Sequence, residues 1–223
     1  MRQYNKTKSF ISLTLTLGFS LNILGSMQVY LNDMPPYYSR AVVLEDWIST
    51  KVFKKLHQTY VMNEQKIKER ILKIASKYKT GLNAEDLSAV SDQILMESQK
   101  YGYDPLLLTA LIITESSFNN WARSRKGALG LMQIVPKTGY AIANETNLKW
   151  HGKKTLFDPE SNIVLGTYYL NKLVKRFGDL GLALEAYNHG PSQLKKYLNK
   201  GMQPKQYSRK VLRNYRKVRA QVI

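Results

Sequence analysis

Glu115-Ser-Ser-Phe118 and Gly127-Ala-Leu-Gly-Leu-Met-Gln133 set one acidic side chain near a run of small, tight-turning residues. Ala186-Tyr-Asn-His-Gly-Pro191 adds a polar-aromatic cluster farther along the chain. An acid on a helix, faced by glycine-rich backbone and a Tyr-Asn pair, suits a site that protonates an oxygen deep in a groove. Glu115 follows Leu106 to Ile113, a stretch so apolar that it predicts a helix buried on most faces. At the C-terminal end of such a helix a carboxylate feels the negative pole of the dipole, and partial burial strips its hydration. Both effects raise its pKa and help it hold a proton near neutral pH, which a general acid needs. An arbitrary glutamate there is more often a solvated surface residue; the surrounding residues weigh the other way. Ser124 and Gln133 offer hydroxyl and amide groups of the sort that bind sugars, and Gly127, Gly130 and Gly139 let backbone approach a ligand closely.

Several helices must position these groups. Asn83-Ala-Glu-Asp86 predicts an N-cap with acids in the first turn, Leu87, Val90, Ile94 and Leu95 give that helix an apolar face, and Gly102 ends it. Asp104-Pro105 restarts a helix with Asp as cap and Pro at the first helical position. Asp158-Pro-Glu-Ser-Asn162 caps another, with Ile163, Val164, Leu170, Leu173, Val174 and Phe177 as core and Gly178 as stop. Leu180 to Asn188 is a shorter helix closed by Gly190-Pro191, and Tyr207, Val211, Tyr215, Val218 and Val222 form a helical stripe at the C-terminus. The expected fold class is mostly α, with loops carrying the polar chemistry.

The 223 residues allow one medium domain and an appendage. Residues 1–31 read as a signal peptide or membrane anchor. Arg2, Lys6 and Lys8 lead an apolar stretch from Phe10 to Leu24, and Gly25-Ser26 is a cleavage candidate with the bulky Leu24 in an awkward place. If uncleaved, Phe10 to Leu31 is about long enough to cross a bilayer core. Residues 32–82 form an accessory segment. Asp33-Met-Pro-Pro-Tyr-Tyr-Ser39 breaks any helix, and from Leu44 to Tyr78 an amphipathic helix or pair of helices follows, with Ile48, Val52, Leu56 and Tyr60, then Ile67, Ile71, Ile74 and Tyr78 on one face and Gly81 as stop. Residues 83–223 form the main domain. The formal net charge is +18, and no acidic residue follows Glu185. That field favours polyanions such as nucleic acid, anionic lipid or an acidic cell-wall polymer. No DNA- or RNA-reading motif accompanies the charge, so no specific nucleic-acid partner is expected. The absence of cysteine removes disulfides, cysteine nucleophiles and thiolate metal sites. His57 and His151 are isolated, no metal-ligand spacing occurs, and no cofactor is expected.

Taken together, Glu115-Ser-Ser-Phe118, Ala122-Arg-Ser124, Gly127 to Gln133, Pro136, Thr138, Asp158-Pro159, Asn162-Ile163, Gly166, Tyr169-Leu170 and Ala186-Tyr-Asn-x-Gly-Pro191 resemble the soluble-type (SLT) lytic transglycosylases, lysozyme-like enzymes that cleave murein. The resemblance runs from about Leu87 to Val211 and does not cover residues 1–80. It implies a lysozyme-like catalytic domain that cuts the β-1,4 bond from N-acetylmuramic acid to N-acetylglucosamine without net hydrolysis. Glu115 would serve first as acid and then as base, closing a 1,6-anhydro ring. Ser124 and Gln133 would contact sugar groups, Tyr187 and Asn188 would orient Glu115 or the glycan, and Tyr207 would belong to the active-site wall. One carboxylate then serves both halves, unlike the paired acids of most glycosidases. Asp158 reads as a helix cap, and Glu185 adjoins the Tyr-Asn motif without an evident role.

Two positions depart from the family's pattern. His189 stands where a small residue is common, and Gln203-Pro-Lys-Gln-Tyr207 keeps only the Tyr of a Glu-Thr-x-x-Tyr motif. The resemblance implies peptidoglycan strands as partner; the N-terminal segment adds the expectation of export to the periplasm or an anchor in the inner membrane facing the wall, with an envelope-spanning assembly as a further candidate partner. Two alternatives stay open: a hydrolytic lysozyme of related fold, and a non-catalytic wall-binding assembly protein.

Overall fold

The structure is a computed structural model that describes residues 51–220. The expected signal or anchor, the Pro-Pro breaker and Val222 lie outside those residues. Two compact units divide the chain, Met1–Tyr60 and Val61–Ile223, and the described residues fall almost wholly in the second. Nine helices are described: α1 Lys51–Ala75, α2 Ala84–Tyr101, α3 Pro105–Ser116, α4 Pro136–Thr146, α5 Lys153–Phe157, α6 Pro159–Phe177, α7 Leu180–His189, α8 Pro191–Asn199 and α9 Gln206–Ala220. Among the described residues, β structure is limited to isolated bridges, Arg123 to Leu129 and Leu129 to Ile134. The mostly α expectation is met.

The local signals act as their chemistry dictates. Asn83 Oδ1 accepts the Asp86 N–H at 2.7 Å, Asp104 Oδ1 that of Leu106 at 2.8 Å, and Asp158 Oδ1 that of Ser161 at 2.9 Å. Each satisfies a donor that the first helical turn leaves without an intrahelical partner. α1 stops at Ala75, before the expected stop at Gly81. Lys77 and Tyr78 donate to the carbonyls three residues back, which tightens the final turn and swings the Tyr78 ring to 5.9 Å from that of Phe118. α4, α5 and α8 are not evident from the sequence; α5 has only five residues, and α8 has nine with a single buried side chain, Leu194.

α3 is the central helix. Leu106 to Ile112 are buried, and α9 makes its most extensive packing against this helix. α6 packs on both α2 and α7. Ile71, Ile74 and Ala75 near the end of α1 belong to the same buried core as α3 and α9. The Arg70 guanidinium donates to the carbonyl of Val218 at 2.7 Å and to that of Arg219, satisfying acceptors that the end of α9 leaves open.

The loop from Ser117 to Val135 is held by Asn162, whose side chain is fully buried. Its Nδ2 donates to the carbonyls of Leu129 and Leu156 at 3.0 and 2.9 Å, and its Oδ1 accepts the Met132 N–H at 2.7 Å. Gly130, at φ +78°, lies so close that a Cβ would meet Leu156 O at 2.2 Å and Asn162 Nδ2 at 2.4 Å. A Cβ on Gly139 would meet the Leu156 and Trp150 side chains at 3.0 Å. These two glycines therefore permit packing inside the protein, and the expectation that they admit a ligand to the backbone is corrected. Asn162→Ala should cost about 3 kcal/mol, because it leaves three buried backbone groups without partners. Chemical denaturation would check this, and a loss below about 1 kcal/mol would contradict it.

Candidate active site

Glu115 occupies the last turn of α3, and the helix ends at once because Ser117 and Phe118 both take positive φ, 51° and 58°. This sharp exit sends the chain into the Asn162-held loop and leaves the Glu115 carboxyl between α3 and α9. Tyr207, on the first turn of α9, donates its hydroxyl to Glu115 Oε1. Two neighbours on α9 fix the same turn of α3: Lys210 Nζ donates to the Thr114 carbonyl at 3.3 Å, and Asn214 Nδ2 donates to Thr114 Oγ1 at 2.9 Å.

These surroundings set the acidity. Burial pushes the Glu115 carboxyl up from 4.5 to about 7, against the opposing pull of the Tyr207 hydrogen bond and the Lys210 charge. Desolvation wins because the carboxylate loses water on several sides and gains one neutral donor and one cation. No second carboxylate is among the groups that act on Glu115. Tyr207 and Tyr187 are both held well above the ordinary tyrosine range, first by burial and then by the Glu115 charge. Both therefore stay neutral donors.

Tyr187 feels the Glu115 charge but spends its hydroxyl on the Met132 carbonyl at 2.9 Å, tying α7 to the glycine-rich loop. Gln133 follows at φ 52°. Its Nε2 donates to the carbonyls of Ala122 and Gly130 at 3.2 and 2.8 Å. With both amide donors engaged, Gln133 has its Oε1 to offer a ligand. Ser124 is exposed, and its Oγ accepts the Ala128 N–H at 3.0 Å, which closes a turn and leaves the hydroxyl as a donor. Asn188 is exposed at the end of α7 and lines a hollow of about 260 Å³ with His189, Gln206, Tyr207, Lys210 and Arg213.

The structure thus brings Tyr207 onto the Glu115 carboxyl, sets Tyr187 within reach of its charge, and places Asn188 in a hollow that Tyr207 shares. Ser124 and Gln133 sit on the loop that Tyr187 anchors. Sequence reasoning missed Lys210, which sits one turn beyond Tyr207 in a run of cations that looked uniform. It also found no role for Glu185, which proves fully buried.

The chemistry is that of a lone acid, protonated over about half the population at neutral pH, bonded to a tyrosine that itself lines an open hollow. Its position has a measurable effect on stability. Below pH 4.5 the carboxyl is protonated folded or unfolded and carries no penalty. As pH rises toward about 7 the unfolded chain ionises first, and the folded state loses up to about 3 kcal/mol, at 1.36 kcal/mol per pH unit. Glu115→Gln, which still accepts from Tyr207, should therefore be more stable than the parent above pH 7 and equal to it below pH 4.5. Thermal melts across that range check this, and a pH-independent difference would contradict it.

Comparison with known proteins fits this geometry. The family model "Transglycosylase SLT domain" matches residues 92–209. The chain is 36% identical over 117 residues to a transglycosylase of Enterobacteria phage PRD1, covering 52% of this chain and 39% of that one. It is 37% identical over 138 residues to membrane-bound lytic murein transglycosylase C of Serratia proteamaculans, covering 59% and 35%. The 70 kDa soluble lytic transglycosylase of Escherichia coli superposes with a TM-score of 0.53 at 26% identity, over 57% of this chain and 24% of that one. The chain thus spans between a third and two fifths of the length of these two curated relatives. The matched residues run from α2 into the first turn of α9 and include both Glu115 and Tyr207, and this chain belongs to the transglycosylase SLT domain family.

Proposed function

We propose that this protein is a murein lytic transglycosylase that cleaves the β-1,4 bond between N-acetylmuramic acid and N-acetylglucosamine and leaves a 1,6-anhydro-N-acetylmuramic acid end. The observation that carries the reading is the Glu115 carboxyl, half-buried, tuned to about 7 and without a second carboxylate acting on it. In the first half, the Glu115 proton passes to the glycosidic oxygen, the C1–O bond breaks, and the glucosamine side leaves as an alcohol. The substrate's own acetamido oxygen shares the positive charge that develops at C1. In the second half, the Glu115 carboxylate takes the proton of the muramic C6 hydroxyl, whose oxygen closes on C1. Glu115 ends protonated, and no water is consumed.

A pKa near neutrality suits a group that must give a proton and then take one. The paired carboxylates of ordinary glycosidases instead divide those tasks. Glu185, the acid on α7, is unsuited to be a second partner: it is 0% exposed, and its Oε1 is occupied by Ser208. Ser124, Gln133 through its Oε1, and Asn188 are assigned to sugar contacts, with Tyr187 fixing the loop and Tyr207 the acid.

The α9 face adds Arg209, Lys210, Arg213, Arg216, Lys217 and Arg219, all exposed. These charges fit the carboxylates of murein stem peptides and would hold the enzyme near its polymer. The Serratia proteamaculans relative carries membrane-bound in its name. The reading accordingly places this chain outside the inner membrane, exported or tethered through residues 1–31. No helix among the described residues is long and apolar enough to cross a membrane.

Purified murein incubated with the protein and resolved by mass spectrometry should yield fragments ending in 1,6-anhydro-N-acetylmuramic acid. Glu115→Gln should lower their rate of appearance at least about a thousandfold, the scale on which enzymes lose turnover when an essential proton carrier is removed. Reducing ends would make the protein a hydrolase, and no cleavage by the parent would leave a wall-binding protein.

A further inference from the structure

Glu185 is a fully buried acid that the reaction does not use. It is 0% exposed, yet its Oε1 accepts the Ser208 N–H at 2.8 Å and lies 2.9 Å from Ser208 Oγ, while Oε2 faces His189 Nε2 at 3.4 Å. A carboxyl withdrawn this far from water is retained only where its partners offset the desolvation. Those partners sit at one particular place. α9 begins at Gln206, and Arg209 N donates back to the Lys205 carbonyl, so Lys205 stands in the capping position. Lysine has no acceptor and cannot satisfy the N–H groups of the first turn. The acceptor comes instead from another helix, and as an acid it also suits the positive end of the α9 dipole.

The residue immediately before Ser208 is Tyr207, whose hydroxyl donates to Glu115. Where Tyr207 can put its hydroxyl depends on where the first turn of α9 sits, and two bonds to one buried oxygen pin that turn to α7. We infer that Glu185 is a positioning residue for the reaction: it caps α9 from α7 and thereby holds the Tyr207 hydroxyl on the Glu115 carboxyl. Glu185 touches no substrate. It rests on the reading of Glu115 as the acid only for its kinetic consequence; the structural link is independent of any substrate.

The direct test follows the Glu115 carboxyl in protein labelled with carboxyl-13C glutamate, its signal assigned by its disappearance in Glu115→Gln. In Glu185→Ala the titration midpoint should move up from about 7, because Tyr207, which pulls it down ahead of Lys210, is now misplaced. Glu185→Gln, whose amide oxygen can accept the same two bonds, should restore the parent midpoint. Tyr207→Phe should shift it as Glu185→Ala does, and adding Glu185→Ala to Tyr207→Phe should change nothing further. On murein, Glu185→Ala should lower kcat about five- to tenfold, the worth of one lost hydrogen bond, with KM within about twofold.

An unmoved midpoint in Glu185→Ala, or an equal further shift on top of Tyr207→Phe, would overturn the inference. If Glu185→Ala does not fold, Ser208→Ala takes its place; it removes the hydroxyl and keeps the backbone donor. It should give a smaller shift in the same direction, and no shift would overturn the inference equally. The titration needs no substrate. A parent protein that cleaves no murein while showing this pattern would defeat the functional reading and leave the positioning role standing.

Discussion

The hydrogen bond from Tyr207 to Glu115 joins the end of α3 to the start of α9, and most of the site's architecture can be traced from it. The carboxyl must be dry enough to keep a proton and yet held by a donor that stays neutral. Burial alone would push it higher still; Tyr207 and Lys210 draw it back to about 7. The opposition between desolvation and two specific partners is therefore what sets the chemistry, and each element has to deliver one part of it. α3 brings the acid at the end of an apolar helix. α9 brings both partners from successive turns. The Ser117–Phe118 exit ends that helix directly after the acid.

The glycine-rich loop is part of the same arrangement, but as a scaffold. Asn162 satisfies two backbone groups inside it and ties them to the Leu156 carbonyl of α5, Gly130 is pressed against that asparagine, and Tyr187 bonds to the Met132 carbonyl. A loop of this length would otherwise carry buried backbone groups without partners, at a cost no apolar contact offsets. Its irregular backbone, with Gln133 at positive φ, is thus fixed by polar groups from α6 and α7. Gln133 and Ser124 can then present what remains of their hydrogen-bonding capacity in fixed directions.

Much of this was legible in the sequence, for reasons that differ by residue. The caps at Asn83, Asp104 and Asp158 were readable because capping is local chemistry. Glu115 was readable because an acid terminating an apolar helix is conspicuous, and Tyr187 and Tyr207 through the motifs that hold them. The function of Gly130 was misread because a close approach looks the same in sequence whether a ligand or Leu156 stands opposite. Lys210 and Glu185 were missed because their partners, Thr114 and Ser208, lie 96 and 23 residues away. Contacts between helices leave no periodic trace when a single polar residue makes them. The end of α1 at Ala75 was missed for a related reason: three-residue bonds after the helix, not Gly81, stop it.

The central claim is that one carboxyl, Glu115, performs both proton transfers. The pH profile of kcat/KM on murein, measured under conditions where the protein stays folded, tests it most directly. A single proton donor of the free enzyme predicts a plateau at low pH and one descending limb with its midpoint near 7. A bell-shaped profile with an ascending limb near pH 4 to 5, about where an ordinary carboxylate ionises, would show that a second carboxylate takes part and would contradict the account.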